Sequence, residues 1–265
     1  TSGYRNTTLG YKAGVSVTTG YSNVLIGYET AEGISSGYEN VVMGANPSQA
    51  NLQQSTLIGF NAGKEGTAHN VVGVGYKALG TGTLTTGANG TVAIGYQALE
   101  DLTSGGSNTA LGYRAGMNMT TGGNNVAIGY NSLVNAVDTC NSNIAIGSQA
   151  MITVDRGTNG SATVNGNIAI GYNALAGGDF VDQDKDLVGN IAIGKNALDA
   201  TAANAQTGTI AIGHEALTAL TSGNKNIAIG QKAGFSNTTG QCNVFVGAYA
   251  GCKSDGSGSN NLLNV

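Results

Sequence analysis

The residues of this chain that could carry out chemistry are few and far apart in the sequence. Only two histidines occur, His69 and His214, and they fall in distant parts of the chain. Catalysis by side chains needs acids, bases or nucleophiles that converge on one site. Most acidic residues are scattered singly, so paired carboxylates of the glycosidase type are not indicated either. We therefore expect neither an enzyme nor a bound organic cofactor.

One acidic segment differs from this pattern, because Asp182, Asp184 and Asp186 alternate with other residues. Alternating carboxylates in one loop suit calcium, a hard cation that takes several oxygen ligands. However, Leu187 stands where an EF-hand loop has glycine, and no Glu occupies the twelfth position. The three aspartates are a candidate site for structural calcium, and a solvated acidic insertion is the alternative.

Two of the three cysteines, Cys242 and Cys252, stand five residues before and after Gly247. If that glycine marks a corner between two strands, the two sulfur atoms could face each other across it. The sequence therefore predicts a Cys242–Cys252 disulfide, with two separate buried thiols as the alternative. Cys140 would then remain as a free thiol or an interchain link.

The composition excludes several classes of function. Charged residues make up 10% of the chain, the formal net charge is −4 and the pI is near 5.0. This leaves no basic stripe for nucleic acid and no polybasic membrane patch. No stretch approaches 18 consecutive apolar residues, so membrane insertion is not expected. The low charge, with much Gly, Asn and Thr, is typical of surface fibres, and we expect an extracellular location on a cell or virion.

The whole chain is organised as one repeat, built on segments such as Asn125 to Tyr130 and Asn167 to Tyr172. A glycine recurs at spacings of 15 to 24 residues, most often 17. The aligned glycines are Gly10, Gly27, Gly44, Gly59, Gly75, Gly95, Gly112, Gly129, Gly147, Gly171, Gly194, Gly213, Gly230 and Gly247. This period is too short for a helical pair and suits one coil of a β-solenoid.

Every copy has an aliphatic residue directly before the glycine and a β-branched residue three before it. These two positions share one face of a strand, and such residues fit a packed, pleated surface. We predict an all-β fold, a parallel β-solenoid (β-roll) of about 14 coils with a mean period near 17–18 residues. Residues 1–265 should form a single elongated domain without an evident cap at either end. The predicted core ladder comprises Ile94, Ile128, Ile146, Ile170, Ile193, Ile212 and Ile229.

The position two before the glycine is apolar in almost every copy, although a free-standing solenoid should have polar residues on its outer face. Small residues there would allow copies of the chain to pack closely. We therefore predict a homo-oligomer through an alanine face. That face comprises Ala93, Ala110, Ala127, Ala145, Ala169, Ala192, Ala211 and Ala228.

Three further columns accompany the strand. Asn stands four before the glycine in ten copies, and stacked Asn side chains can form a hydrogen-bonded ladder; a regular polar array that binds ice or sugar is the alternative. Tyr or Phe often follows the glycine, as at Tyr11, Tyr28 and Phe60, and should form an aromatic ladder more readily than a sugar platform. Ala three after the glycine indicates a second short strand or turn that faces the first strand across a thin core. One helical turn is the alternative, and we favour the strand.

The strand motif Asn-x-Val-Ala-Ile-Gly with a following Ser or Ala, as in Asn125 to Ser132, resembles the head repeats of trimeric autotransporter adhesins. The segment Asn108 to Gly116 is similar to repeats of some phage tail-fibre proteins. The resemblance implies a left-handed parallel β-roll, three chains side by side and a role in surface attachment. We therefore expect a self-associating structural subunit, in a trimeric fibre or a head-to-tail filament. A module that binds a receptor or surface glycan is the alternative.

Overall fold

The computed structural model describes residues 3–46, 51–63, 65–135, 140–152, 163–177, 186–201, 205–252 and 263–264. The chain divides into two compact units, Thr1–Asn124 and Asn125–Val265. Both units are built from short parallel strands, with a single described 3-10 helix, Thr86–Ala88, in the first. The expectation of one domain over 1–265 stays a prediction.

The first unit has seven strands of three residues in one parallel sheet. They are β1 (Thr7–Leu9), β2 (Val24–Ile26), β3 (Val41–Met43), β4 (Thr56–Ile58), β6 (Val72–Val74), β8 (Val92–Ile94) and β9 (Thr109–Leu111). Two shorter strands, β5 (Glu65–Gly66) and β7 (Thr83–Leu84), pair with each other. Consecutive strands of the main sheet are always one coil apart, which is the topology of a solenoid.

The second unit repeats this plan. Its main sheet comprises β10 (Val126–Ile128), β12 (Ile144–Ile146), β14 (Ile168–Ile170), β16 (Ile191–Ile193), β18 (Ile210–Ile212), β19 (Ile227–Ile229), β20 (Val244–Val246) and β21 (Leu263–Asn264). A second parallel sheet comprises β11 (Cys140–Asn141), β13 (Val164–Asn165), β15 (Leu187–Val188) and β17 (Gln206–Thr207). The first residue of each strand in this second sheet is buried and forms another side of the interior.

The register of the main sheets follows the repeat position by position. Ile168 pairs with Ile191, Ala169 with Ala192 and Ile170 with Ile193. All fourteen aligned glycines directly follow a three-residue strand of the described chain. The predicted all-β parallel solenoid is therefore confirmed.

The segment after the aligned glycine is a turn in every coil except that of Gly44, where it is only partly described, so the second strand that we favoured at this place is wrong. The turn uses left-handed backbone at two positions, as at Asn196 (φ 53°) and Leu198 (φ 51°). Such backbone is incompatible with a strand. The predicted inward orientation of the alanine in this segment is confirmed, because Ala197 is fully buried.

The aligned glycine has a backbone conformation that other residues rarely adopt. Gly194 has φ +134°, and an added Cβ would lie 2.5 Å from the carbonyl oxygen of Gly213 in the next coil. Gly189, in the same coil, has φ +65°, and an added Cβ would meet nothing within 4 Å. Other coils place Asn70 or Asn124 at the position of Gly189. Only the first of these two glycines is required by close contact between coils.

Gly194→Ala is expected to lower the free energy of unfolding by roughly 3 kcal/mol, because both the backbone strain and the carbonyl clash must be relieved. Gly189→Asn is the matched control and should change it by less than about 0.5 kcal/mol. Denaturant unfolding followed by circular dichroism measures both. Equal losses in the two variants would contradict the proposed contact between coils.

The structure reverses the predicted inner and outer faces of the main strand. All eight alanines of the predicted oligomer face are buried, with exposures between 0% and 2%: Ala93, Ala110, Ala127, Ala145, Ala169, Ala192, Ala211 and Ala228. The seven isoleucines of the predicted core ladder lie on the opposite, outward face. Ile94 and Ile229 are 37% and 42% exposed, and Ile128, Ile146, Ile170, Ile193 and Ile212 are half-buried. Both assignments were wrong, because both faces are apolar and we placed the larger side chains inside.

In most coils the strand contributes only a small side chain to the interior, because a large side chain from the following turn already fills the space. In the coil of β16, buried Ala192 is combined with buried Leu198 from the turn. In the coil of β4 the sizes are exchanged, since Leu57 is combined with Gly63, where an added Cβ would lie 2.6 Å from Leu57 Cδ1. Phe245 and Gly251 form a similar pair. The two positions therefore share one volume.

This shared volume predicts non-additive mutations in the coil of β16. Ala192→Leu alone should overpack the interior and destabilise by about 1–3 kcal/mol. Leu198→Gly alone should leave a cavity and destabilise by about 2–5 kcal/mol. The double variant should lose less than the sum of the two single losses, because it reproduces the arrangement of Leu57 and Gly63. Additive losses in a double-mutant cycle would show that the two side chains do not share the space.

Candidate functional site

The outer face of the main sheets is a regular surface in each unit. We define it as the side chains of the first and third residues of every three-residue strand. The first residue is Val, Ile or Thr and the third is Ile, Leu, Val or Met, so none of these described strands places a charge there. Several of the outward residues are well exposed, including Ile58 at 37%, Leu111 at 46% and Val246 at 38%. The outer face is therefore a solvent-accessible aliphatic surface.

The in-register pairing arranges these side chains in two straight columns. Strands in a sheet lie about 4.8 Å apart and rise about 3.3 Å per residue. Seven strands of three residues in one unit thus present an area of about 30 Å by about 10 Å. Each unit by itself carries an apolar patch about as large as the largest patch of an ordinary soluble monomer.

Some of the charged side chains lie in the turns beside the outer face and form ion pairs there. Lys12 Nζ lies 3.3 Å from Glu29 Oε1, and Lys77 Nζ lies 3.1 Å from Glu100 Oε1. The hydrogen bond that Lys12 donates to Glu29 raises the pKa of this ammonium group above its ordinary value. The exposed Lys12–Glu29 pair contributes little to stability, whereas Glu100 is buried in its pair with Lys77. Both pairs keep the charge of the turns locally balanced and away from the outer face.

The predicted aromatic ladder is present at the position after the glycine. The ring centroids of Tyr76 and Tyr96 are 5.1 Å apart, and those of Tyr96 and Tyr113 are 5.0 Å apart. Phe60 stacks on Tyr76 with a centroid distance of 5.4 Å. Because the rings cover one another's faces, mainly their edges meet solvent. This arrangement favours the packing role, and glycan binding stays an untested prediction.

A second aromatic ladder was missed in the sequence. Tyr4, Tyr21 and Tyr38 stand six before the glycine and stack with centroids 5.2 Å and 4.9 Å apart. Partial burial, followed by the neighbouring Tyr38 and Glu39, raises the pKa of the Tyr21 phenol above its ordinary value. The signal was the 17-residue spacing of the three tyrosines. It was hidden because the position holds other residues, such as Gln53 and His69, in later coils.

The predicted asparagine ladder is confirmed, and it is buried. Asn167 Nδ2 donates to Asn143 Oδ1 at 3.0 Å and to the Leu187 carbonyl oxygen at 2.6 Å. Asn167 Oδ1 accepts from the backbone N–H of Asn190 at 3.0 Å. Asn143, Asn167 and Asn190 are all 0% exposed. The ladder therefore satisfies backbone groups at a corner, and its buried amides cannot serve as an array for ice or sugar.

Asn167→Ala should destabilise the chain by about 3 kcal/mol, because the buried Asn190 N–H and Leu187 carbonyl would each lose a partner at about 1–3 kcal/mol. Asn167→Thr should be milder, since Thr91 occupies the same position and its Oγ1 accepts from the Asn108 N–H at 3.4 Å. Denaturant unfolding of both variants tests this order. An Asn167→Ala variant as stable as the parent would contradict the structural role.

The candidate calcium residues are only partly described. Asp182 and Asp184 lie outside the described residues. Asp186 is described, and its Oδ1 accepts a hydrogen bond from the Thr163 backbone N–H at 2.9 Å. Among the residues that the structure describes, no three His, Cys, Asp or Glu side chains are grouped to hold a metal ion. Calcium binding by Asp182, Asp184 and Asp186 stays a prediction.

The predicted disulfide is not formed, because Cys242 and Cys252 both have free thiols. Cys242 is exposed in left-handed backbone (φ 58°) before β20, and its N–H donates to the Asn224 carbonyl. Cys252 lies in the turn that follows that strand, where its carbonyl accepts from Ser236 Oγ at 2.6 Å. The prediction was wrong because a strand and a turn separate the two residues, instead of one sharp corner. Cys140 is buried as the first residue of β11.

The two histidines of the sequence fall in different units. His69 belongs to the first unit and His214 to the second, where His214 Nε2 lies 3.5 Å from Glu215 Oε1. No model of a known protein family and no curated protein matches this sequence. In the described part of the chain, no helix is long and apolar enough to cross a membrane. The outer face is thus the candidate functional surface of the described chain.

Proposed function

We propose that this chain is an extracellular structural protein whose solenoid associates with further copies of itself through the outer face. The observation that supports this most directly is the uncharged aliphatic surface of β1 to β20 in the two main sheets, whose members such as Ile94 and Ile229 are exposed. Contiguous apolar surface of this kind is typical of protein interfaces. The assembly would be a segment of a fibre.

A second copy of the chain is the partner that fits the outer face best. The two columns repeat at the spacing of the strands, which is about 4.8 Å. Another solenoid has the same period, so its side chains can interdigitate with these columns over many coils. A partner without that period would match the columns at only a few places. Burial of aliphatic surface at about 25 cal/mol per Å² would drive the association.

The resemblance to the head repeats of trimeric autotransporter adhesins and to tail-fibre repeats supports the same arrangement. In such a fibre three chains lie side by side. The exposed columns favour this lateral contact over a purely head-to-tail filament. Segments that lengthen and stiffen a fibre need repeated coils and no active site, in agreement with the scattered acids and bases of this chain.

The extracellular location is supported by composition. Only 10% of the residues are charged, and 44 of 265 are Gly, as in surface fibres. Labelling of intact cells or virions with an antibody against the chain tests this part of the proposal. Signal that appears only after permeabilisation would contradict it.

Lysine substitutions on the outer face test self-association. The parent should sediment as a multiple of the 26.4 kDa chain at micromolar concentration. The double variant Ile146→Lys, Ile170→Lys should sediment as a monomer with an unchanged circular dichroism spectrum, because burial of two unpaired ammonium groups is strongly unfavourable. A monomeric parent would contradict the proposal.

The matched control introduces the same charges away from the outer face. Gln149 and Asn173 lie in the turns of the same two coils, with left-handed backbone. Other coils have Lys77 and Lys232 at this position. The double variant Gln149→Lys, Asn173→Lys should therefore leave the oligomer intact.

Electron microscopy of the parent distinguishes discrete rods, which are the expected lateral assembly, from long head-to-tail filaments.

A further inference from the structure

The first unit carries stacked tyrosine pairs whose geometry suits covalent chemistry. The ring planes of Tyr4 and Tyr21 differ by 8° and those of Tyr21 and Tyr38 by 2°. Tyr11–Tyr28, Tyr76–Tyr96 and Tyr96–Tyr113 are stacked in the same way, with interplanar angles of 18°, 9° and 6°. We refer to these five pairs as the tyrosine ladders.

The ladders combine close approach with solvent access. Ring centroids in the five pairs are 4.9 to 5.3 Å apart, so ring carbons of neighbouring coils lie in contact. Tyr4 is 53% exposed, Tyr11 60% and Tyr96 40%, and a dissolved oxidant can reach them. Two groups held in contact react far faster than the same groups free in solution.

We propose that the tyrosine ladders are sites of oxidative cross-linking, at which tyrosines of adjacent coils are joined as dityrosine by a one-electron oxidant of phenols. A haem peroxidase with hydrogen peroxide is such an oxidant. The cross-link would staple one coil to the next. It goes beyond the proposed function and does not depend on self-association.

Each cross-link between two tyrosines consumes one molecule of hydrogen peroxide. Each of two stacked phenols gives one electron and one proton to the oxidant and becomes a phenoxyl radical. The two radicals form a carbon–carbon bond between ring carbons ortho to the oxygens. The hydrogen atom on each of these carbons then moves to the phenol oxygen as a proton exchanged with water, which restores both aromatic rings. Hydrogen peroxide takes up the two electrons and two protons and yields two molecules of water, so the chain loses two hydrogen atoms per link.

Phe60 provides an internal control within one stack. It lies 5.4 Å from Tyr76 with an interplanar angle of 10°, which is the geometry of the tyrosine pairs. Phenylalanine has no phenol to oxidise, so no link between positions 60 and 76 should form. Phe60→Tyr should create that link without another change in the stack.

The experiment treats the folded full-length chain at low concentration with a haem peroxidase and hydrogen peroxide. Peptide mapping by mass spectrometry should find links at 4–21 or 21–38, at 11–28, and at 76–96 or 96–113, each with the loss of two hydrogen atoms. The product should run as a single chain on a denaturing gel and should melt at a higher temperature than the untreated protein. Absence of dityrosine, or links mainly between chains, would overturn the proposal.

Two substitutions sharpen the test. Tyr21→Phe keeps an aromatic ring in the ladder but removes the shared phenol, so the links at 4–21 and 21–38 should vanish while those at 76–96 or 96–113 remain. Tyr249→Phe is the matched control, because Tyr249 is 52% exposed and belongs to none of the five pairs. It should leave the map unchanged. A map that is insensitive to Tyr21→Phe, or identical in the urea-unfolded chain, would show that the ladders do not direct the coupling.

Discussion

The close contact between successive coils at the aligned glycine is the constraint on which the rest of the structure depends. An added Cβ at most of these glycines would come within 2.6 Å of the next coil's carbonyl oxygen, as at Gly95 and Gly194. Coils that lie this close must share the same backbone path, since any difference would separate the strands. Equivalent residues therefore stand directly above one another, and each repeated residue type becomes a column. The buried asparagine ladder and the stacked tyrosines both result from this register.

The interior follows from the same constraint, because each coil has only a thin layer of space to fill. In most coils one large side chain occupies it, either from the turn, as Leu198 does, or from the strand, as Leu57 does. The coils of β9 and β19 have a small residue at both positions and are exceptions. Leucine in left-handed backbone is itself unfavourable by about 1–2 kcal/mol. Full burial of its side chain, at about 1.5–3 kcal/mol, offsets that strain. The pairing of sizes between strand and turn is thus a consequence of a fixed volume per coil.

The sequence was sufficient to predict the period, the position of every three-residue strand and the asparagine ladder, since each depends on a residue type that recurs at a fixed offset. It did not show which face of each strand points into the interior and which points outward. Ala192 and Ile193 are both apolar, and alternation gives no sign of which faces solvent when neither is polar. The deciding information lay in the turn, where Leu198 fills the interior. We interpreted that segment as a strand, because leucine rarely adopts left-handed backbone and no sequence pattern predicts this conformation.

The two free cysteines, Cys242 and Cys252, also could not be assigned correctly from the sequence. Cys242 and Cys252 have symmetrical spacing about Gly247, but spacing along a chain gives no distance across a strand and a turn. The columns are predictable because the same residue type recurs at the same offset in many coils, whereas the cysteine pair occurs only once in the sequence.

The reversal of the two faces also changes what the aliphatic residues mean. Residues that point inward are constrained by packing, so their apolar character needs no further cause. Residues that point outward are not constrained in this way, and the fold accepts a polar Thr there, as Thr7, Thr56 and Thr109 illustrate. Yet the outward residues of the fourteen three-residue strands include no charge. Such a restriction at positions that the fold leaves open is the physical reason to seek a partner on this face.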